Sequence, residues 1–586
     1  MDRQAWIAIV LSVLGLIGWQ VYTLQHPTPR LPAHALASPS PGATATASST
    51  AGSTTPLAEA TATPPPNEPA ATPAPTPFAF AEKTATLRSA DLQLLLTNRG
   101  GGIAEAVLPH HKNEDNQPLK LNALGGVPIG AIMEKAADPQ LAEFTIVPAA
   151  AGSVQFERAL PKEVTLRKKF TLPAPPNEKD NYVAQMEVAF QNSGPTTYSN
   201  PGYFVALGAA APIHRNDMPN YTRLTWCIDG KAKYTDVGWF DALNYPLIGK
   251  QKRAAEQYYD EAVNGAEWLG VSNQFFVTLV TPLNAKATRA WATRFDAGKN
   301  SKGKTDYGIE GAMGMPAFQL KPGETKTLKY QLYIGPKLYH RLADLTHDEA
   351  EIMDFGLWKL VSQALLNAMN FLHSFLHNYA LAILVLTAII KLVLWPLQTK
   401  ANKSMRRMSA LSPKMAELKE KYKDDPTKMN AEVMKMYKDY GVNPVSGCLP
   451  MMIQIPIFFG LFTMLRQAVE LRNASFLWVH DLSQPDTVGH IPGLGWPINI
   501  LPLIMAATNL WLIRITPKSG DATQQKVMMF MPLIFVVFCY NFAAALALYY
   551  TTQNLFTILQ LYQNRNQPLP KLEKVNRPVK RKGNRR

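Results

Sequence analysis

Apolar and polar positions fall along the chain in three rhythms, and these divide it before composition is considered. Continuous apolar runs occupy Trp6–Leu24, Tyr379–Thr399, Gly447–Leu465, Trp496–Ile515, Val527–Phe542 and Leu546–Tyr562. As helices they match a bilayer core of about 30 Å, the last two being short enough to suit a locally thinned membrane. From Phe78 to Pro336 the rhythm has period two: Val164, Leu166, Phe170 and Leu172 alternate with Thr165, Arg167, Lys169 and Thr171. Tyr182, Ala184, Met186, Val188 and Phe190 repeat the pattern, as do Leu328, Tyr330, Leu332 and Ile334. Strands with one buried face read this way. With turn signals at Gly100-Gly101-Gly102, Asp229-Gly230 and Lys321-Pro322-Gly323, they predict a large, mostly antiparallel β-sandwich.

Two stretches carry a helical stripe. In Asp354–His377, Phe355, Trp358, Val361, Leu365, Leu366, Met369, Leu372, Phe375 and Leu376 share a face. That predicts an amphipathic helix in the membrane interface, with packing on the sandwich as the alternative. In Lys400–Asn443 the stripe is Met405, Met408, Leu411, Met415, Leu418 and Tyr422, then Met429, Val433, Met436, Tyr437 and Tyr440. Asp424-Asp425-Pro426 interrupts it, with Asp425 placed to cap a second helix and Pro426 at its first position. This is a helical hairpin whose methionines suit varied partners or close the hairpin's own seam.

Composition adds a tether and an orientation. Pro27–Pro77 is built from Ala, Thr, Ser and Pro and cannot form a core. The run before it reads as an uncleaved signal anchor; Ala33-His34-Ala35 keeps a cleaved signal peptide as the alternative. The formal charge of +15 over 586 residues is uneven. The hairpin from Gln398 to Val445 has 11 Lys/Arg against 6 Asp/Glu, and the tail from Gln563 has 9 against 1. Arg514–Lys526 has 3 against 1, while Ala468–Gly495 has 1 against 3. Short basic loops stay in the cytoplasm, so hairpin and tail are inside and the β domain outside. Cys227, Cys448 and Cys539 lie too far apart for a metal or disulfide framework.

One residue contradicts its surroundings. Lys391 lies about 12 Å along the helix from Thr399, deep inside an apolar run, where a charge costs about 2.5–3.5 kcal/mol. None of the six runs contains Asp or Glu, which disfavours an ion-coupled transporter. No nucleotide loop, zinc-protease pair or serine-nucleophile motif is present. In the β region His110, His111, His214, Asp217 and Asp241 have no catalytic spacing, so an envelope enzyme is disfavoured too. A lone cation, the polar row Thr551-Thr552-Gln553-Asn554 and basic inner loops suit transient binding of polypeptide segments.

Tyr437-Lys438-Asp439-Tyr440-Gly441-Val442-Asn443-Pro444, Gly447-Cys448-Leu449-Pro450 and Gln454-Ile455-Pro456-Ile457-Phe458 resemble the core signature of the YidC-type membrane protein insertases. So do Val469-Glu470-Leu471-Arg472, Trp478-Val479-His480-Asp481-Leu482, Leu548-Tyr549-Tyr550 and Asn554-Leu555. The resemblance implies a polytopic α-helical membrane protein of six spans, with a five-helix insertase core, a cytoplasmic hairpin and an all-β periplasmic domain of the β-supersandwich kind. It implies no enzyme activity and no cofactor. It also implies a hydrophilic groove in which Lys391, where the family generally has arginine, attracts the acidic outer segment of a substrate. Thr387, Gln454, Thr551, Thr552, Gln553 and Asn554 belong to that groove, and Ile455, Pro456, Phe458 and Tyr550 to a greasy slide. Lysine keeps the charge but lacks the planar guanidinium. Ala543-Ala544-Ala545 stands where relatives commonly have Pro-Ser-Gly.

The expected organisation is a signal anchor at 1–26, a linker at 27–77, a periplasmic β domain at 78–350 and an interfacial helix at 351–378. The insertase core follows at 379–562, with its hairpin at 400–445, and then a basic tail at 563–586. Expected partners are nascent integral membrane proteins and the Sec translocon. The basic tail and the hairpin, through Met405, Met408, Met415, Met429 and Met436, are expected to meet the ribosome; anionic lipids suit the tail as well.

Overall fold

The computed structural model describes residues 80–565, except 138–139, 174–180, 216, 245–250, 301–302, 443–448, 494, 517–529, 531–533 and 535. The expected signal anchor, the linker, seven of the sixteen residues of Val527–Phe542 and nearly all of the basic tail lie outside the described residues. By contact density Met1–Ala81 and Glu82–Arg586 are separate units, and every strand and helix of the described residues belongs to the second.

The period-two region forms two stacked antiparallel sheets. Nine strands run in the order Lys231–Asp236, Arg223–Ile228, Trp268–Ser272, Phe276–Pro282, Thr325–Pro336, Val183–Asn192, Val164–Thr171, Ser153–Leu160 and Thr145–Val147. On them lie five: Tyr258–Ala266, Ala287–Lys299, Thr305–Met315, Tyr203–Ala210 and Ile132–Met133. The sheets approach closely at Gly311, where a Cβ would meet Val271 Cγ1 at 2.8 Å. A four-stranded sheet begins with Thr84–Arg88 and ends with Pro118–Leu121. Gly100 and Gly101 turn between two of its strands at φ 66° and 55°, the left-handed region that glycine enters at no steric cost.

One strand departs from the alternation read in the sequence. Lys168 takes an inward position in Val164–Thr171, between Leu166 and Phe170, and is fully buried. Its ammonium donates to the carbonyls of Gly100 at 3.1 Å, Gly130 at 2.7 Å and Gly101. It also lies over the rings of Phe144 and Phe170. All three N–H donors are met by backbone, which is how an ammonium is held in a core without a carboxylate.

The remaining elements are helical: α1 Tyr339–Ala343, α2 Lys359–Leu376, α3 Tyr379–Ala410, α4 Ser412–Lys421, α5 Pro426–Asp439, α6 Leu449–Gln467, α7 Ile500–Ile515 and α8 Ala544–Arg565. Among the described residues α3 alone is both long and apolar enough to cross a membrane. The run Trp496–Ile515 yields a helix only from Ile500, because Pro497–Asn499 pairs with Thr487–His490 as a short hairpin. Asn499, at the helix start, is tied to the Tyr540 carbonyl at 2.8 Å.

Helix α2 packs against α3 and α6 through Ser362, Leu365, Leu366 and Met369, leaving Leu360, Phe371 and Phe375 exposed. Gly460 permits this contact: a Cβ there would lie 2.8 Å from Val361 Cγ1, and the Ser362 hydroxyl donates to the Gly460 carbonyl at 2.8 Å. Asp425 caps α5 by accepting from the Lys428 amide at 3.0 Å. Met408, Met415 and Met436 join Leu411, Leu418, Val433 and Tyr437 in the hairpin seam, while Met405 and Met429 are half-buried beside it. Met434, which the stripe omitted, is the exposed methionine of α5.

Candidate functional site: a polar interior between apolar helices

The helical bundle shows large apolar side chains outward and keeps polar groups among the apolar residues of its interior. Leu381, Val385, Ile389, Leu392 and Val393 of α3 are exposed, as are Leu503, Ile504, Leu510 and Trp511 of α7 and Leu555, Leu559 and Tyr562 of α8. Thr387, Lys391, Thr508, Asn509, Thr551, Thr552, Asn554 and Gln560 are buried between them. Helices that hide amides, hydroxyls and an ammonium while showing leucine outward are built for an apolar solvent.

Lys391 is 6% exposed, and its Nζ donates to the Thr557 hydroxyl of α8 at 3.0 Å. That partner was not singled out in the sequence, although Thr557 lies two turns after Tyr550 within the same apolar run. Thr557 in turn donates to the Gln553 carbonyl at 2.8 Å. The Gln553 side chain accepts from Gln454 Nε2 of α6 at 3.1 Å, and the same nitrogen reaches the Tyr549 hydroxyl at 3.2 Å. A polar path therefore runs from the cation on α3, across α8, to α6 beside Ile455 and Pro456.

The four consecutive polar residues of α8 do not share one surface. Successive side chains of a helix point about 100° apart. Gln553 turns to α6; Asn554 turns to α7, donating to Thr508 at 3.1 Å. Thr552 bonds back to the Leu548 carbonyl at 2.7 Å, and Thr551 Oγ1 is buried with no partner among the described residues. Thr387 is buried one turn before Lys391 and donates to the Ile383 carbonyl at 2.7 Å. Gln560, one turn beyond Thr557, reaches the Thr399 hydroxyl at 3.3 Å.

Of the expected slide residues, two are in contact across the α6–α8 packing. Phe458 and Tyr550 pack edge to face with ring centroids 5.5 Å apart. Ile455 is exposed, and Met452 and Phe459 extend the same apolar surface of α6. Pro456 sits inside that helix, where it removes one backbone hydrogen bond.

Where α6 meets the sandwich, the contacts are polar. Gln274 donates to the Arg466 carbonyl at 2.8 Å and Arg472, just beyond α6, to the Lys112 carbonyl at 2.9 Å, while Gln467 donates to the Asp354 carbonyl, in the segment leading into α2, at 3.0 Å. Arg472 also lies over the ring of Phe276. His214 and Asp217 pair at 3.2 Å and meet Gln484 there, so they belong to this junction. Arg466 is stacked on Phe462, Phe542 and Tyr221.

Residues 84–368 match the family described as the YidC periplasmic domain, and residues 371–569 that described as the 60Kd inner membrane protein. The membrane protein insertase YidC of Geobacter sulfurreducens is 31% identical over 577 residues, covering 96% of this chain and 98% of the relative. The chain belongs to the YidC family of membrane protein insertases. The YidC of Syntrophus aciditrophicus is 36% identical over 339 residues, 57% of this chain, which spans 59% of that relative's length. A solved structure of an active YidC insertase with its first transmembrane domain resolved aligns over 84% of this chain and 94% of its own, at 17% identity and a TM-score of 0.34. This is an inner-membrane family with a β-rich periplasmic domain followed by a helical region.

Proposed function

We propose that this protein inserts and folds integral membrane proteins in the inner membrane, as the names of its relatives state for them, without enzymatic chemistry. The observation that carries the reading is the apolar-faced bundle with Lys391 buried inside it, its ammonium facing a hydroxyl and no carboxylate among the described residues. A desolvated cation without a counter-charge favours an acidic group brought to it. The acidic or polar outer segment of a substrate meets Lys391 in a groove lined by Thr387, Gln454, Thr551 and Gln553. Its apolar segment passes along Ile455, Pro456, Phe458 and Tyr550 into lipid. Asn554 ties α8 to α7 and Thr552 bonds back within α8, so neither lines the path.

In this reading the chain crosses the membrane six times, with both termini, the hairpin 400–445 and the tail 563–586 inside and the β domain 78–350 outside. Helix α2, within 351–378, lies in the outer interface with Leu360, Phe371 and Phe375 in lipid. The hairpin and the basic tail approach the ribosome and anionic lipid, and insertion proceeds alone or beside the Sec translocon.

The test is depletion of the protein followed by measurement of the insertion of short single- and double-span proteins, with complementation by Lys391→Ala and Lys391→Arg. Depletion is expected to block insertion. Lys391→Arg restores it, and Lys391→Ala restores it only for substrates without acidic outer segments. Normal insertion on depletion refutes the insertase reading. Full activity of Lys391→Ala on acidic substrates refutes charge attraction alone.

A further inference from the structure

The Lys391 side chain has four flexible carbons and a compact charge, and its neighbours Leu392 and Val393 are exposed to the lipid side. Such a side chain extends toward headgroups unless something holds it. In this fold the holder is on α8. The Thr557 hydroxyl has one hydrogen and two acceptor lone pairs. The hydrogen goes to the Gln553 carbonyl one turn back at 2.8 Å, and the bond together with β-branching fixes the rotamer. The oxygen is thereby preset as an acceptor, and Lys391 Nζ lies 3.0 Å from it. An ammonium has three N–H donors. Lys168 spends all three on backbone carbonyls, whereas Lys391 gives one to Thr557 among the described residues.

We infer that Thr557 is the positioning residue for the groove cation: its hydroxyl, locked by the Gln553 carbonyl, holds the Lys391 ammonium against α8 and leaves the remaining donors uncommitted for a substrate carboxylate. The inference rests on the insertase function proposed for this chain. It gives α8 a second role beyond lining the path, because the same Gln553 whose carbonyl fixes Thr557 is bound through its side chain to Gln454, next to the slide.

The test uses the purified full-length protein in proteoliposomes and two single-span substrates, one with an acidic outer segment and one whose acids are replaced by Asn and Gln. Thr557→Val keeps the shape and removes the acceptor. It is expected to slow the acidic substrate by about fivefold or more, in line with loss of a hydrogen bond to a charged group, and the neutral one by less than about twofold. Thr557→Ser keeps the acceptor and recovers most of the rate. In a Lys391→Gln background Thr557→Val adds nothing. A purely structural role predicts equal losses on both substrates. Equal losses, no loss, or an additive loss in the Lys391→Gln background each overturn the inference. If Lys391→Gln alone inserts the acidic substrate at full rate, charge attraction falls and this inference with it. If Lys391→Gln is slow while Thr557→Val is normal, only this inference falls.

Discussion

Lys168 and Lys391, two of the three lysines buried among the described residues, both lack a carboxylate partner but differ in the number of acceptors they meet. Lys168 is ringed by three carbonyls, two from the turn at Gly100-Gly101 and one from Gly130, so its donors are spent on holding two loops to one strand. Lys168→Met keeps the length but leaves those carbonyls without a donor. It is expected to lower the stability of the β domain by about 3 kcal/mol or more. Denaturant unfolding followed through the buried Trp226 and Trp268 reads this directly; a change below about 1 kcal/mol contradicts the account. Lys391 was legible in the sequence because a charge inside an apolar run violates its context. Lys168 was not, because Arg167 and Lys169 flank it and a basic triplet on a strand looks like a solvated edge. Period two puts position 168 on the inward face, but only the glycine turns show how an ammonium is held there.

At the scale of elements, strands and helices followed their periodicity, and the places where they did not have local causes. The strands around Val164–Thr171 and Val183–Asn192 alternate in burial as their sequence does. The Asp425 cap and the break before Pro426 are where the residues require them. Helix α7 is shorter than its apolar run because Pro497 and Asn499 pair into a hairpin first. The polar row of α8 read as one patch in one dimension. In three it distributes itself over α6 and α7 and its own backbone, while the contact to Lys391 falls to Thr557, one turn beyond the row. A single threonine in an apolar run carries no signal until the opposite helix supplies a cation.

At the scale of the whole molecule, the β domain and the helical region meet through Arg472 and Gln274, and this junction predicts a pH dependence. His111 sits beside it, its ring edge on Phe276 and its Nε2 3.4 Å from the Tyr182 hydroxyl. Burial, then the Arg472 and His110 charges, lower its pKa to about 4. The unfolded chain takes up a proton near 6.5, so between about pH 4 and 6.5 it binds more protons than the folded one. Stability is therefore fully present above 6.5 and is lost as pH falls toward 4, by up to about 3 kcal/mol. Thermal unfolding of the full chain from pH 7.5 to 4.5 is expected to show this slope, and His111→Phe to flatten it. An unchanged slope in the variant contradicts the assignment.

The central claim at this scale is that a substrate passes between the Lys391 side of α8 and the slide on α6. Photocrosslinking tests it most directly, with a reactive residue placed in turn at Ile455, Phe458, Tyr550 and Met505, and a ribosome-bound single-span chain as target. The account predicts crosslinks to the apolar segment from Ile455, Phe458 and Tyr550 and none from Met505, which is buried in α7. Crosslinks of equal strength from Met505, or none from the three slide positions, contradict it.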